Sequence, residues 1–247
     1  MANEKLKAVV LAAGKGTRLH SKDSDAPKVM RTACGKPLLW FVLETLSFIE
    51  KKDTIIVVGY KKDDVIGAFG DYPHAVQEEQ LGTGHAVMAA AGHLSEFGGS
   101  VLVCYGDMPA ITRERYEGLF REHFEQGNDC TILTGESESG LPYGRVIRDE
   151  SGGFVEVVEE KDCTPGQLEI KELNSGVYMF RARPLLEALK KLKRDNSQGE
   201  YYLTDAPAIM RSEGAKIGIY RCDMGDEMVG VNTKEQLEQM ETILRNR

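Results

Sequence analysis

The chain has 247 residues, of which 41% are hydrophobic and 28% are charged, and its formal net charge is −8. This length allows one large α/β domain or two small ones, and no segment approaches the roughly 20 apolar residues of a membrane span or forms the apolar core of a secretory signal. The acidic balance argues against broad nucleic-acid binding, and cytoplasm is the expected location.

Apolar runs alternate with helix-like stretches along the chain, as they do in βαβ units. This order predicts a doubly wound, Rossmann-like α/β fold with a mixed, mainly parallel sheet and a smaller β-rich lobe inserted after about residue 135. The predicted strands are Lys7–Ala13, Thr54–Tyr60, Val101–Asp107, Cys130–Thr134, Gly153–Glu159, Ser175–Phe180 and Lys216–Cys222, with a hairpin over Tyr143–Glu160. The predicted helices are Pro37–Lys51, Gly84–Leu94, Arg113–Gln126, Pro184–Leu192, Leu203–Glu213 and Lys234–Leu244.

A glycine-rich segment follows the first predicted strand. Gly14 and Gly16 let the backbone turn sharply and approach a ligand without a Cβ in the way. Lys15, Arg18 and Lys28 place three cations around this turn. A loop rich in backbone N–H groups and surrounded by positive charge is suited to a polyphosphate, so the segment predicts a nucleotide site.

Other glycine-rich motifs fit this segment poorly. The Walker pattern GxxxxGK[ST] is absent, and Leu19 stands where a dinucleotide fingerprint needs a third glycine or another small residue. A tight surface turn with incidental charges is the remaining alternative. The five cysteines are scattered, and no pair has CxxC spacing, so neither a zinc site nor a disulfide framework is predicted.

Asp107 is the last residue of the predicted strand that begins at Val101. Open α/β sheets bind ligands at the carboxyl ends of their strands, and one carboxylate together with substrate phosphates is the usual way to hold Mg²⁺. Asp107 is therefore a candidate metal ligand. An aspartate that caps a helix or a turn is the alternative.

The segment from Val76 to His85 opens an alanine-rich helix. Gly82 and Gly84 permit close backbone approach, and Gln77 offers both a donor and an acceptor, which suits the edge of a pyrimidine base. His85 has no accompanying nucleophile motif, so we interpret it as structural or as a weak ligand contact.

These motifs together resemble those of the sugar nucleotidyltransferase superfamily. LAAGKGTR at residues 11–18 and PKV at 27–29 are typical of the superfamily. EQLGTGHA at 79–86, YGD at 105–107, YGR at 143–145 and QGEYYLTD at 198–205 are similar to the uridylyltransferase domain of the bifunctional N-acetylglucosamine-1-phosphate uridylyltransferases. The similarity runs from about Leu6 to Asn232.

The resemblance implies a single GT-A-like nucleotidyltransferase domain over residues 1–247. The implied nucleotide-binding lobe comprises about residues 1–135. The sugar-binding lobe and the return of the chain to the sheet comprise about residues 136–232, and residues 233–247 form a C-terminal helix. It implies Arg18, Lys28 and Asp107 as catalytic residues, and Asp107 and Asn232 as ligands of Mg²⁺. The implied substrate-binding residues are Leu11, Ala12, Gly14, Lys15, Gly16, Gln77, Gln80, Gly82, Thr83, Tyr105, Gly106, Gly144, Glu159, Asn174 and Asn232.

The implied reaction is attack of N-acetylglucosamine 1-phosphate on the α-phosphorus of UTP, which gives UDP-N-acetylglucosamine and pyrophosphate. Two departures from the family pattern stand out. The loop between Arg18 and Lys28 is longer, with Lys22 to Ala26 extra, and no hexapeptide repeat of an acetyltransferase part occurs before Arg247, so acetyl transfer is not expected. The alternatives are a glucose-1-phosphate thymidylyl- or uridylyltransferase and a non-catalytic nucleotide-sugar-binding module.

Overall fold

A mixed sheet of nine strands forms the centre of the fold in the computed structural model, which describes residues 5–15, 26–137 and 141–246. Its strands follow the order β11-β7-β10-β6-β1-β4-β5, with β8 and β9 attached beside β10, and a separate two-stranded ribbon is made by β2 and β3. The strands are β1 (Leu6–Ala12), β2 (Thr32–Ala33), β3 (Lys36–Pro37), β4 (Thr54–Val58), β5 (His74–Val76), β6 (Ser100–Tyr105), β7 (Cys130–Glu136), β8 (Arg145–Arg148), β9 (Phe154–Val158), β10 (Glu172–Arg181) and β11 (Ile217–Arg221).

Helices cover both faces of this sheet. They are α1 (Leu38–Thr45), α2 (Lys62–Ala68), α3 (Thr83–Ala89), α4 (Ala91–Leu94), α5 (Arg113–Glu125), α6 (Pro165–Leu168), α7 (Ala182–Leu189), α8 (Asp205–Ser212) and α9 (Lys234–Arg245). None of the helices in the described part of the chain is long and apolar enough to cross a membrane.

The central strands are buried on both faces, which explains their unbroken apolar sequences. Successive side chains of a strand point to opposite faces. On β1, Val9 and Leu11 pack into one hydrophobic core while Val10 packs into the other. Neighbouring β4 and β6 both pair in parallel with β1. The predicted parallel α/β arrangement is confirmed for these strands.

Parallel pairing brings several strand ends to one edge of the sheet. Leu11 on β1 pairs with Val57 on β4 and with Tyr105 on β6, so the loops after these strands begin side by side. The Gly106 N–H donates to the Leu11 carbonyl over 2.9 Å and continues the pairing past the end of β6. This edge is where open α/β sheets hold ligands.

Strand β10 runs antiparallel to β6 and β7. The first residues of β10 therefore lie at the edge of the sheet where β6 and β7 end. Its register with β7 shifts between Asn174 and Tyr178, and Gly176 within the shift has φ of +77°. Such bulges redirect side chains near functional sites. The predicted hairpin is present as β8 and β9, and β8 pairs with β10 at Leu173.

The structure differs from the sequence predictions mainly at short or exposed elements. The helix predicted over Pro37–Lys51 ends at Thr45, and the one predicted over Gly84–Leu94 divides at Ala90 into α3 and α4. Helix α2 and the three-residue strand β5 were not predicted. Helix α2 buries one residue, Val65, so its sequence carries little of the apolar periodicity on which prediction relies.

His123 on α5 is fully buried, with Nδ1 3.0 Å from Thr131 Oγ1 and Nε2 3.3 Å from Ser100 Oγ. Burial, with a contribution from Arg181, lowers the pKa of His123 to about 4, so the folded protein holds the ring neutral. The unfolded chain binds a proton near the ordinary pKa of about 6.5. At pH values between these two pKa values, unfolding takes up a proton, so the free energy of unfolding decreases as the pH falls through this range.

We expect the free energy of unfolding to lose about 2 kcal/mol through His123 alone between about pH 7.5 and pH 5. The measurement is urea denaturation of the wild type and His123→Gln at both pH values. The variant should be less stable at the higher pH but show a smaller decrease on acidification. Equal decreases in the two proteins would contradict a neutral buried His123.

Candidate active site

A cavity of about 310 Å³ opens at the carboxyl edge of the sheet. It lies between the loop after β1, the segment before α3 and the loop after β6. Many residues selected from the sequence line it, although they come from distant parts of the chain. The predicted site residues in its wall are Leu11, Gly14, Lys28, Gln77, Gln80, Gly82, Thr83, Tyr105, Asp107 and Asn232.

Lys28, Asp107 and Asn232 meet in this wall. The Lys28 ammonium forms an ion pair with Asp107 Oδ2 and donates to Asn232 Oδ1 over 2.7 Å. The side chains of Lys28 and Asp107 are only 14% and 19% exposed. Charges with so little access to water need a partner, so each of these two stabilises the other. The longer loop before Lys28 does not prevent this residue from reaching Asp107.

Several hydrogen bonds hold Asn232 beside Asp107. The Tyr143 hydroxyl donates to the Met228 carbonyl over 2.5 Å and accepts from the Gly230 N–H over 3.0 Å. Asn232 then precedes the capping box of α9, where the Gln236 side chain accepts from its N–H over 2.7 Å. Burial raises the pKa of Tyr143 to about 12, so the hydroxyl remains a donor at neutral pH.

Asp107 and Asn232 also fit a divalent cation. Asp107 Oδ2 and Asn232 Oδ1 already converge on one positive charge, the Lys28 ammonium. Carboxylate and amide oxygens are hard ligands of the kind that Mg²⁺ takes, alongside water and substrate phosphates. The described residues contain no group of three or more His, Cys, Asp and Glu side chains arranged for a metal.

Another part of the cavity wall is formed by a turn that Gln77 holds in place. Gln77 is buried, and its Nε2 donates to the Gly82 carbonyl over 3.0 Å and lies 3.2 Å from His85 Nδ1. The Gln80 side chain donates to the Gln77 carbonyl over 3.3 Å. The amide nitrogen of Gln77 is thus engaged within the protein, and His85 lies beside Gln77.

Gly82 has φ of +110°, and a Cβ added there would lie 2.5 Å from the Tyr201 carbonyl. That carbonyl accepts from the Gly84 N–H over 2.8 Å, and the Tyr201 N–H donates to the Leu81 carbonyl over 2.8 Å. The turn 81–84 and the segment beginning at Tyr201 are therefore in direct backbone contact. Only glycine fits here, because of both the positive φ and the contact.

The remaining residues of the glycine-rich loop are only partly described. Gly14 is exposed and lies in the cavity wall, while Ala12 is buried behind it. Lys15 is exposed, with Nζ 5.5 Å from the centre of the Tyr60 ring. Gly16 and Arg18 lie outside the described residues.

Gly144, Glu159 and Asn174 lie on the side of β10, beyond the cavity wall. The Asn174 N–H donates to the Gly144 carbonyl over 2.9 Å, and Asn174 Oδ1 accepts from the Gly176 N–H over 3.1 Å. Tyr105 connects this group to the cavity. Its ring occupies the space that a Cβ of Gly176 would need, and it also lines the cavity.

Charges on both sides act on Tyr105. Burial, together with the charges of Glu159 and Asp107, raises the pKa of its hydroxyl far above the ordinary value. Glu159 is partly buried, and desolvation raises the pKa of its carboxyl while a hydrogen bond from Thr204 lowers it. The uncharged Tyr105 thus lies between Glu159 and the cavity that Lys28 lines.

Sequence reasoning did not select several residues of this site. Val29, Ala86 and Glu200 line the cavity, and Thr204 bonds to Glu159. Glu200 and Thr204 both lie within the QGEYYLTD segment. The sequence pattern singled out this segment but predicted no role for these two residues. Val29 and Ala86 have apolar side chains that carry no chemical signal.

We expect Gly82→Ala to lower the free energy of unfolding by about 2 kcal/mol or more, because the added methyl meets the Tyr201 carbonyl in a backbone conformation that alanine disfavours. Gly92→Ala is the matched control. Gly92 lies in α4 with open space where the Cβ would go, so alanine should stabilise the protein by up to about 1 kcal/mol. Urea denaturation measures both, and similar values for the two variants would contradict the close contact.

Comparison of the sequence with known proteins identifies the family of this chain. Residues 8–208 match the MobA-like NTP transferase domain. The bifunctional protein GlmU of Alkaliphilus metalliredigens is 43% identical over 98% of this chain and 53% of that protein, and GlmU of Caldanaerobacter subterraneus subsp. tengcongensis is 44% identical over 99% and 52%. The chain spans about half the length of these curated relatives.

The fold is also that of a solved nucleotidyltransferase structure. A Bacillus anthracis protein, provisionally described as a glucose-1-phosphate thymidylyltransferase and crystallised with sucrose, has a TM-score of 0.76 and 18% identity over 98% of this chain and 96% of that chain. At this identity the likeness concerns the fold alone, and it confirms the predicted α/β class. The family resemblance predicted from the sequence is confirmed as well: the chain belongs to the MobA-like NTP transferase domain family.

Proposed function

We propose that this chain transfers a uridylyl group from UTP to N-acetylglucosamine 1-phosphate and so forms UDP-N-acetylglucosamine and pyrophosphate. The observation that carries the proposal is that Lys28, Asp107 and Asn232 meet in the wall of a cavity that the Gln77–Gly82 turn also lines. Similarity to GlmU proteins over nearly the whole chain supports the choice of substrates. A cytoplasmic location remains a prediction.

The two ends of the site take different parts of the substrates. We assign the uracil to the turn formed by Gln77, Gly82 and Thr83, and the triphosphate to Gly14, Lys15 and Lys28, with Gly16 and Arg18 as further predicted contacts. The sugar ring is assigned to Gly144, Glu159 and Asn174. Nucleotide binding then belongs to about residues 1–135, and sugar binding to about residues 136–232.

The reaction is a displacement at the α-phosphorus. An oxygen of the sugar phosphate forms a new bond to this phosphorus, and the bond from the phosphorus to the oxygen that bridges the α- and β-phosphates breaks opposite to it. Pyrophosphate leaves with the bonding electrons. Because the attacking phosphate is already an anion at neutral pH, the site needs no general base, and catalysis rests on positioning and charge stabilisation.

Lys28 stabilises negative charge on the phosphates, and Asp107 and Asn232 provide oxygen ligands for a metal ion. Nucleotidyltransferases of this family generally use a divalent metal, and we assign Mg²⁺. When bound, this ion neutralises phosphate charge and orients the reacting groups. Lys28 contacts both candidate ligand oxygens in this structure, so its ammonium and a bound ion would share or compete for them.

Pyrophosphate release from a panel of substrates tests the proposal. UTP, dTTP, CTP, ATP and GTP are each combined with N-acetylglucosamine, glucose and glucosamine 1-phosphates in the presence of Mg²⁺. We expect the highest kcat/KM for UTP with N-acetylglucosamine 1-phosphate. Preference for another pair would assign the chain to a sister activity, and binding without turnover of any pair would identify a non-catalytic module.

We expect Asp107→Ala to lower kcat about 1,000-fold or more with the preferred pair, because the variant removes a metal ligand and the partner of Lys28. Asp71→Ala is the matched control, since it removes a carboxylate from an exposed pair with Lys51. It should keep wild-type activity. Circular dichroism establishes that both variants are folded, and near-normal turnover of Asp107→Ala would remove Asp107 from the metal site.

A further inference from the structure

Glu159 lies in acidic surroundings. Its carboxylate follows β9 and is partly buried, and desolvation is the main cause that raises its pKa. The charged groups with the largest effects on this pKa, Asp205, Asp162 and Glu200, are all acidic and raise it further. The titratable groups whose charges interact with Glu159 are Asp162, Cys163 and Glu200 in loops, Asp205 on α8, Tyr105 on β6 and Tyr178 on β10.

One neutral donor stabilises the charged form of Glu159. The Thr204 hydroxyl donates to Glu159 Oε1 over 3.0 Å, and this hydrogen bond opposes the rise in the pKa. Thr204 is 1% exposed, so its side chain is fixed by packing and has no free access to water. A hydroxyl held in this way fixes one oxygen of the carboxylate and leaves the other for a ligand.

The segment that carries Thr204 is attached to the turn at the other end of the site. The Leu203 N–H donates to Thr83 Oγ1 over 3.0 Å, and Tyr201 exchanges two backbone hydrogen bonds with Leu81 and Gly84. Four hydrogen bonds therefore connect residues 81–84 through Tyr201–Thr204 to Glu159.

We propose that Thr204 is a positioning residue for sugar recognition: its hydroxyl holds the Glu159 carboxylate at a fixed place relative to the turn that receives the base. This inference rests on the proposed function, which assigns the sugar ring to Glu159. The charged carboxylate accepts hydrogen bonds from sugar hydroxyls, and the segment Tyr201–Thr204 sets the distance between the sugar and the nucleotide. Neither Thr204 nor Leu203 needs to touch the reacting atoms.

Three variants test this role. Thr204→Val removes the hydroxyl and keeps the shape of the side chain, whereas Thr204→Ser keeps the hydroxyl. Thr242→Val is the matched control, because Thr242 lies on the exposed face of α9 and its hydroxyl donates to the Glu238 carbonyl of the same helix. The wild type and all three variants are assayed with varied UTP and with varied sugar 1-phosphate, using the pair that the wild type prefers.

We expect Thr204→Val to raise KM for the sugar phosphate about tenfold, while KM for UTP changes less than about twofold. Thr204→Ser and Thr242→Val should stay near the wild type. A rise in both KM values by the same factor, or an equal loss in Thr204→Ser, would overturn the positioning role. So would an unchanged KM for the sugar phosphate in Thr204→Val.

The pH profile supplies a second readout that a packing defect alone would not move. Loss of the Thr204 hydroxyl removes the hydrogen bond that lowers the pKa of Glu159, so this pKa rises. In Thr204→Val, Glu159 then becomes protonated at a higher pH than in the wild type. The acidic limb of the pH profile of kcat/KM for the sugar phosphate should therefore shift to higher pH. Two other groups titrate in the same pH range. These are the sugar phosphate, in its second ionisation, and Asp205, whose pKa is raised to about 6 mainly by desolvation. Both titrate in the wild type and in Thr204→Val, so the difference between the two profiles reports Glu159.

The two hypotheses fail in different ways. Absence of wild-type turnover with every substrate pair overturns the proposed function and this inference with it. A wild type that turns over a pair, together with Thr204→Val that keeps the wild-type KM and pH profile, overturns the inference alone. Preference of the wild type for another sugar phosphate leaves the role of Thr204 intact if the KM for that sugar shows the expected change.

Discussion

The site depends on the contact of the Lys28 ammonium with the oxygens of Asp107 and Asn232. These residues stand far apart in the chain, and each is brought to the contact by a different part of the fold. Asp107 follows a central strand, Lys28 follows the glycine-rich loop and Asn232 precedes the last helix. A partly buried ion pair is costly to break, so the positions of these three segments are linked. The region proposed to bind phosphate is consequently tied to the start of the C-terminal helix.

The sequence predicted those parts of the molecule in which local pattern and burial agree. Strands β1 and β6 are continuous apolar runs. The glycine and charge pattern after β1 predicted Lys28 as a site residue, and the carboxylate at the end of the β6 run predicted Asp107. The reversed direction of β10 was not predictable, because an apolar run specifies burial and not direction. Thr204 was missed for a related reason. Its partner Glu159 is 45 residues away in the chain, and only the fold brings the two together.

The charges of the site are divided between its two ends. Lys15 and Lys28 lie at the end assigned to phosphates, where Asp107 pairs with Lys28, while Glu159, Asp162 and Asp205 lie near the end assigned to the sugar. An acidic protein can therefore bind a polyanion, because its cations are grouped where phosphates are expected. The carboxylates provide hydrogen-bond acceptors for neutral hydroxyl groups and repel phosphates from that end. Tyr105, uncharged at neutral pH, lies between the two groups.

The reversal of β10 has a consequence for how such a protein changes during evolution. Because β10 runs against its neighbours, the hairpin β8–β9 connects β7 to β10 at the same edge of the sheet as the cavity proposed for the nucleotide. A change in the length or sequence of this hairpin alters the residues at the end proposed to bind the sugar, while the parallel core of β1, β4 and β6 keeps its register. The segment that carries the proposed sugar contacts can thus change while the framework of the proposed nucleotide site stays the same.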